Sequence, residues 1–442
     1  MRKQLSVLAA VLAGSVLGLG CGTTEGDPDD QANPFLQDMA DDFKSDSAYL
    51  NPDGFEVEVD LEGDVLGPAN RLADGPAALG QFALTNFRKQ EVMYLESLAE
   101  DASGVDRAEW WINGAWVANR SVPAGAVRKH WRLRGINAVL LFTTSSSITV
   151  GKIYTAKVPM NPFSVLTDAG KTCADDDDHI GLDSAVYWYR WLPEQASCKI
   201  PMQALKVTVS KKFPTATRTA YPEYDKLVAD HKLTAVILFG QIDDGAITDS
   251  DLGVKSYKRY AKWLTDAKYT EVRAPLGKRF EKVVAGNTVQ IDLYSPREFS
   301  GLDDNAHFAN FQKALSEHEI VVWDGHSMLG ASDFWERPTY PRTYQIFLYG
   351  GCLGFEYYVR PILAGKGGSW ANLDLMSSVV EVSATANEFA APAIAKIVYA
   401  IEHGYKSSWR QILITVRTNV GDSTFGVSGV RDNCFTPTGN RC

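Results

Sequence analysis

Ile320-Val-Val-Trp-Asp-Gly-His-Ser327 and Tyr344-Gln-Ile-Phe-Leu-Tyr-Gly-Gly-Cys352 are the two stretches that decide the fold of this chain. Each contains a short apolar run that stops at a glycine or just before one, which is typical of a strand buried on both faces of a sheet. A third such run, Leu233 to Phe239, comes earlier, and segments with helical periodicity follow these runs. Alternating strands and helices predict an α/β fold with a mostly parallel sheet and helices on both faces.

The same patterns predict the remaining elements of this half of the chain. Asp249 and Asp251 stand where the N-cap of a helix belongs. We expect further strands at 288–294 and 377–382, and helices at 252–267, 307–317, 389–401 and 408–416.

A histidine and a cysteine follow the strands predicted within 320–327 and 344–352. If the strands are adjacent and parallel, His326 and Cys352 emerge at the same edge of the sheet, where α/β sheets carry their chemistry. An imidazole beside a thiol favours the thiolate and so provides a nucleophile for acyl transfer. Backbone N–H groups near Gly325 and Gly351 would bind the oxyanion. We therefore expect Cys352 and His326 to form a catalytic dyad.

At these residues the chain resembles the caspase-like cysteine peptidases, the group of caspases, gingipains and legumains. In that group one apolar strand ends in the catalytic histidine, usually followed by glycine, and a later one ends in a small residue before the catalytic cysteine. The resemblance spans roughly residues 233–416 and implies a caspase-like α/β domain over 221–442 that hydrolyses peptides or proteins without a cofactor. Ser327 stands where the group has glycine.

A serine hydrolase is a weaker alternative. Gly325-His-Ser-Met-Leu-Gly330 is similar to the nucleophile elbow Gly-x-Ser-x-Gly of α/β-hydrolases, and Asp374 and His403 follow Ser327 in the chain order of a triad. The second residue after the serine is Leu329, however, and a side chain there is expected to clash in the tight turn.

The cysteines divide into two pairs and one remainder within the body of the chain. Cys173 and Cys198 are close in sequence, as are Cys434 and Cys442, so each pair is expected to form a disulfide in an oxidising compartment. Cys352 is left over. An odd cysteine in an exported protein is either a buried inert thiol or a reactive one.

The N-terminus has the pattern of an exported protein. Basic residues at positions 2 and 3 precede an apolar run over 5–19 and then Gly20 and Cys21. This resembles the lipobox of bacterial lipoproteins, which implies a signal peptide over 1–21, a lipid on Cys21 and anchoring in the cell envelope. Plain secretion is the alternative. Residues 22–50 are rich in aspartate and predict a flexible tether.

Residues 51–220 predict a smaller β-rich region with one helix. We expect strands at 55–61, 110–117, 128–133 and 139–143, and a helix over 79–100. Four tryptophans fall in this region and either line a sugar or peptide groove or, more simply, fill the core: Trp110, Trp111, Trp116 and Trp131.

Composition and net charge limit the classes of partner that this protein is expected to bind. The 442 residues are 45% hydrophobic and 22% charged, which is an ordinary globular mixture. A net charge of −10 argues against nucleic acid as a partner, and the histidines lack metal-ligand spacing, so no metal site is predicted. Two hypotheses rank above the serine hydrolase: a surface-anchored cysteine peptidase, or a non-catalytic surface lipoprotein that binds glycan or another envelope protein.

Overall fold

A computed structural model describes residues 49–96, 107–141, 147–165, 172–175, 188–214, 220–243, 245–298, 305–327, 335, 337–383 and 388–442. The expected signal peptide, Cys21 and nearly all of the tether lie outside these residues. Tyr49 and Leu50, which were expected in the tether, are buried, and Leu50 forms a β-bridge with Val427. In the described ranges no helix has the length and apolar character needed to cross a membrane.

The first half forms an antiparallel sheet with one long helix, as expected of a β-rich region. Its strands lie in the order β4-β3-β5-β1-β7-β6, and β2 pairs with β5. The elements are β1 (Gly54–Asp64), α1 (Gly75–Lys89), β2 (Tyr94–Leu95), β3 (Glu109–Ile112), β4 (Ala115–Ala118), β5 (His130–Leu141), β6 (Ile153–Pro159) and β7 (Met202–Lys212).

Strands β6 and β7 were not predicted, and three of the other differences from the sequence prediction occur at a residue with positive φ. The stretch 110–117 is a hairpin, because Asn113 and Gly114 form a two-residue turn with φ of 51° and 85°. The two strands predicted at 128–133 and 139–143 are one strand, β5, with a bulge at Gly135. Helix α1 ends at Lys89, because the chain turns at Glu91 before it enters β2.

The second half contains a mixed eight-stranded sheet in the order β15-β14-β13-β12-β8-β11-β10-β9. The five central strands, from β14 to β11, pair in parallel, whereas β15, β10 and β9 pair antiparallel at the edges. The strands are β8 (Lys232–Phe239), β9 (Thr270–Val272), β10 (Lys278–Val284), β11 (Asn287–Tyr294), β12 (Ile320–Asp324), β13 (Gln345–Tyr349), β14 (Leu373–Ser378) and β15 (Phe425–Ser428).

Helices cover both faces of this sheet. They are α2 (Tyr224–Leu227), α3 (Leu252–Asp266), α4 (Asn305–Glu317), α5 (Gly354–Tyr357), α6 (Val359–Gly365), α7 (Ala390–Glu402) and α8 (Trp409–Val420). Helices α3, α7 and α8 bury one face, and α4, α5 and α6 pack on the other. The antiparallel hairpin of β9 and β10 and the edge strand β15 were not predicted, so the expectation of a mostly parallel sheet is correct only for the central strands.

The first sheet and the face bearing α5 and α6 share one apolar core. Tyr49 packs on Phe355 with ring centroids 4.8 Å apart, and Trp188 stacks on Tyr357 at 5.5 Å. The N-terminal module, residues 49–214, therefore lies against the helices that follow β13.

Both predicted disulfides are present. Cys173 bonds to Cys198, and Cys434 bonds to Cys442 around a short hairpin of β16 (Phe435–Thr436) and β17 (Gly439–Asn440). Cys352 is a free, buried thiol, as the count predicted.

Candidate active site

The ends of β12 and β13 are adjacent and parallel, as the sequence prediction required. Trp323 lies opposite Tyr349 in the register, and the Gly350 N–H donates to the Trp323 carbonyl at 2.8 Å. One residue beyond His326, the hydroxyl of Ser327 donates to the carbonyl of Cys352 at 2.5 Å. The structure therefore brings the histidine and the cysteine to the same edge of the sheet.

A backbone carbonyl orients the His326 ring. Nε2 of His326 lies 2.9 Å from the carbonyl oxygen of Ile242, in the loop that follows β8. A carbonyl only accepts, so Nε2 carries a proton, and in the neutral ring Nδ1 is the basic nitrogen. Sequence reasoning missed Ile242, because a backbone carbonyl leaves no residue-specific signal.

Asp251 holds the loop that presents this carbonyl. Its carboxylate accepts hydrogen bonds from the N–H groups of Ile242 at 3.0 Å and Asp243 at 2.8 Å, and it caps α3 through the Val254 N–H at 3.0 Å. Only 1% of Asp251 is exposed. The sequence pattern indicated an N-cap here, and the structure adds that the cap residue supports the orientation of His326.

The thiol of Cys352 points into the protein. Cys352 is 3% exposed, and its Sγ donates to the carbonyl of Val382 at 3.7 Å. The next residue, Leu353, is fully buried and has a φ of 54°, which is uncommon for a residue other than glycine. The site therefore has a constrained nucleophile candidate in a closed arrangement.

The Ser327 side chain occupies space that is open because Gly351 has no side chain. Its hydroxyl also lies 2.9 Å from the hydroxyl of Tyr349, and a Cβ on Gly351 would stand 2.3 Å from the Ser327 Oγ. A Cβ on Gly325 would stand 2.6 Å from the Trp323 ring. These glycines are needed for close packing within the protein, which was not expected from the sequence. Their part in holding an oxyanion stays a prediction.

The residues of the serine-hydrolase alternative do not come together. Ser327 is completely buried and donates to a backbone carbonyl. Asp374 accepts from Tyr344 at 2.7 Å and from Asn433 at 2.7 Å, on the other face of the sheet. His403 stacks on a neighbouring tyrosine at the end of α7. The structure therefore corrects this alternative, because the three side chains have separate partners.

Burial raises the pKa of three carboxyl groups near the sheet. Burial raises the pKa of Asp324 to about 8, with Glu388 nearby adding to the effect. Burial likewise raises the pKa of Glu356 to about 8 and that of Asp374 to about 7. Glu356 pairs with Arg88 at 3.3 Å.

The four tryptophans divide evenly between core and surface. Trp110 and Trp131 are fully buried, which agrees with the core interpretation. Trp111 is 44% exposed and contacts Trp116 edge to face, with ring centroids 5.2 Å apart. The guanidinium of Arg132 lies 4.3 Å above the Trp116 ring. Only the surface pair is placed where a ligand could meet it.

Within the described residues, no three His, Cys, Asp or Glu side chains form a group that could hold a metal ion. No protein-family model, curated protein or solved structure matches this chain.

Proposed function

We propose that the chain is a cysteine peptidase in which Cys352 is the nucleophile and His326 the base. The observation that carries this proposal is the Nε2–H of His326 on the carbonyl of Ile242, at the strand edge where the neighbouring strand delivers Cys352. Nucleophile, base and a group that orients the base are the three parts of a catalytic triad. The resemblance to caspase-like peptidases at the same residues supports the same assignment.

The reaction follows from the chemistry of these two groups. His326 takes the thiol proton, and the Cys352 sulfur attacks the carbonyl carbon of the scissile peptide bond. Backbone N–H groups near Gly325 and Gly351 stabilise the oxyanion. The tetrahedral intermediate expels the amine, which takes the proton from His326, and leaves a thioester. Water, activated by the same imidazole, then releases the acid and restores the thiol.

Activity requires the thiol to leave its present position. Its hydrogen bond to Val382 and its low exposure keep it from a substrate carbonyl. The proposed enzyme therefore has a closed resting state.

The test is cleavage of a diverse peptide mixture, read by mass spectrometry, with residues 22–442 as wild type, Cys352→Ala and Ser327→Ala. The reductant is kept too weak to open the disulfides. We expect wild type and Ser327→Ala to cut and Cys352→Ala to be inactive. Cleavage by Cys352→Ala, or no cleavage by any of the three, would overturn the proposal.

A second candidate function is recognition of glycan by the N-terminal module. The observation that favours it is the exposed indole of Trp111 beside Trp116, because sugars stack on exposed aromatic rings. Titration with soluble envelope oligosaccharides should change the tryptophan fluorescence of wild type and not that of Trp111→Ala. Equal responses from the two proteins would exclude this site.

The lipid anchor at Cys21 is likewise a proposal. It rests on the lipobox resemblance alone. We expect Cys21→Ala to move the protein from the membrane fraction of the cell envelope to the soluble fraction. An unchanged distribution would exclude the anchor.

A further inference from the structure

The segment 380–382 holds the backbone and the side chain around Cys352. The Leu353 N–H donates to the carbonyl of Val380 at 3.0 Å, and the Cys352 thiol donates to the carbonyl of Val382 at 3.7 Å. Both contacts come from one short stretch of chain after β14. Contacts that hold residues 380–382 in place therefore also help to hold the Cys352 thiol.

Glu381 lies between these two carbonyl groups and is held by the N-terminal module. Its carboxylate accepts from the Tyr189 hydroxyl at 3.3 Å and lies 3.6 Å from Nη2 of Arg88. The Glu381 side chain is 47% exposed, whereas that of Arg88 is 3% exposed.

Arg88, in α1, also contacts the helix that follows Cys352. Its Nη1 donates to Glu356 at 3.3 Å, in helix α5, one turn after Cys352. Its Nη2 donates to the carbonyl of Tyr189 at 3.3 Å, and the guanidinium lies 4.9 Å over the Tyr189 ring. One buried cation from the N-terminal module thus contacts the helix after Cys352 and the segment that holds its thiol.

The two carboxyl groups play unequal parts. Glu356 is 2% exposed, and among the residues that the structure describes its Oε1 has no hydrogen-bond partner. Burial disfavours the charged form of Glu356 and raises its pKa, whereas the nearby Arg88 opposes this shift. Glu381 is about half exposed, so a charge on it costs less desolvation than a charge on Glu356.

We propose that Arg88 is a positioning residue that, through Glu381 and Glu356, keeps the Cys352 thiol on the Val382 carbonyl, so that the N-terminal module controls access to the nucleophile. This inference rests on the proposed function for its meaning, but it is tested without peptide cleavage. Release of Glu381 from Arg88 leaves segment 380–382 with its hydrogen bonds to Ser378 and Tyr189, so the segment opens more often and the thiol is exposed more often.

The experiment is the rate of Cys352 alkylation by iodoacetamide in folded residues 22–442, followed by mass spectrometry. With both disulfides closed, Cys352 is the one thiol in this stretch. The variants are Arg88→Met, Arg88→Lys and Glu381→Gln. Arg360→Met is the matched control, since it removes another buried ion pair between the modules, to Glu96 at 2.8 Å.

We expect Arg88→Met and Glu381→Gln to label roughly tenfold faster than wild type, as when a closed local state loses one ion pair with a buried arginine. Arg360→Met should label close to the wild-type rate. Arg88→Lys keeps the charge but not the two-ended guanidinium, so its rate should fall between those of wild type and Arg88→Met. If Arg88→Met does not fold, Glu381→Gln decides alone. Wild-type rates in both test variants, or equally fast labelling of Arg360→Met, would overturn the inference.

Peptide cleavage by the same proteins separates this inference from the proposed function. Faster labelling without cleavage by any variant supports the positioning role and removes the peptidase. Cleavage by wild type with unchanged labelling of the test variants removes the positioning role and leaves the peptidase.

Discussion

Replacement of Asp251 by alanine tests the contacts that orient His326. The carboxylate accepts three backbone N–H groups, one at the N-terminus of α3 and two in the loop that carries Ile242. Loss of an N-cap costs about 1 kcal/mol, and each of the two half-buried loop N–H groups adds about 1 kcal/mol when left unsatisfied. We therefore expect Asp251→Ala to lower the free energy of unfolding by about 3 kcal/mol, by this count of three lost bonds.

Urea unfolding followed by tryptophan fluorescence measures this change. Asp251→Asn keeps one acceptor oxygen and a good N-cap, so it should lose less stability than alanine. Asp249→Ala is the control, because Asp249 is exposed and the sequence alone does not distinguish it from Asp251. Under conditions where both proteins are folded, Asp251→Ala should also cut peptides more slowly, since the carbonyl of Ile242 is no longer held. A loss below about 1 kcal/mol would refute the reasoning, since it would mean that no more than one of the three N–H groups depends on the carboxylate.

Three further predictions follow from packing, burial and chain topology. Gly351→Ala should destabilise the fold by about 1–3 kcal/mol, and Ser327→Ala should restore part of this in urea unfolding, because the new Cβ meets the serine oxygen. Burial raises the pKa of Asp324 and Glu356 to about 8 and that of Asp374 to about 7, so between the unfolded pKa values and these the folded state binds more protons than the unfolded state. The urea midpoint should therefore fall as pH rises from about 5 to about 9, and less steeply in Asp374→Asn; a midpoint that rises would contradict this. Cys442→Ser removes the disulfide that closes a loop with a sequence separation of 8, and by the chain-entropy relation this should lower the free energy of unfolding by about 2.5 kcal/mol. The change is measured by urea unfolding without reductant.

The two halves of the chain are coupled through charges as well as through the apolar core. Asn51 donates to the carbonyl of Phe425 at 2.8 Å, and Arg431 pairs with Glu56 at 2.7 Å. Together with the Arg88 contacts, these join the first strand and α1 to the sheet that carries the candidate site. A fragment that lacks the N-terminal module would expose this surface, so experiments on the site need the whole body of the chain.

Local sequence patterns were sufficient to predict the central strands and the two disulfides. The apolar runs at 233–239, 320–323 and 344–349 are strands β8, β12 and β13 within a residue or two, because strands buried on both faces need uninterrupted apolar sequence. The cysteine pairs were predicted from their spacing, since short separations favour loop closure. The strand predicted at 377–382 instead runs from Leu373 to Ser378, and it includes Asp374, which is buried with a hydrogen bond from Tyr344 that the sequence does not show.

The sequence by itself therefore determined which segments form the central strands, which cysteines pair and that His326 and Cys352 follow two of those strands. Only the tertiary structure decided that these strands are neighbours, that the carbonyl of Ile242 orients the imidazole and that Arg88 reaches the helix after the cysteine. The spacing of apolar residues along the chain indicates which side chains face the core, because that pattern depends only on residues close in sequence. A carbonyl has no side-chain identity, and an ion pair between positions 88 and 356 leaves no local pattern, so neither is visible before the chain is folded.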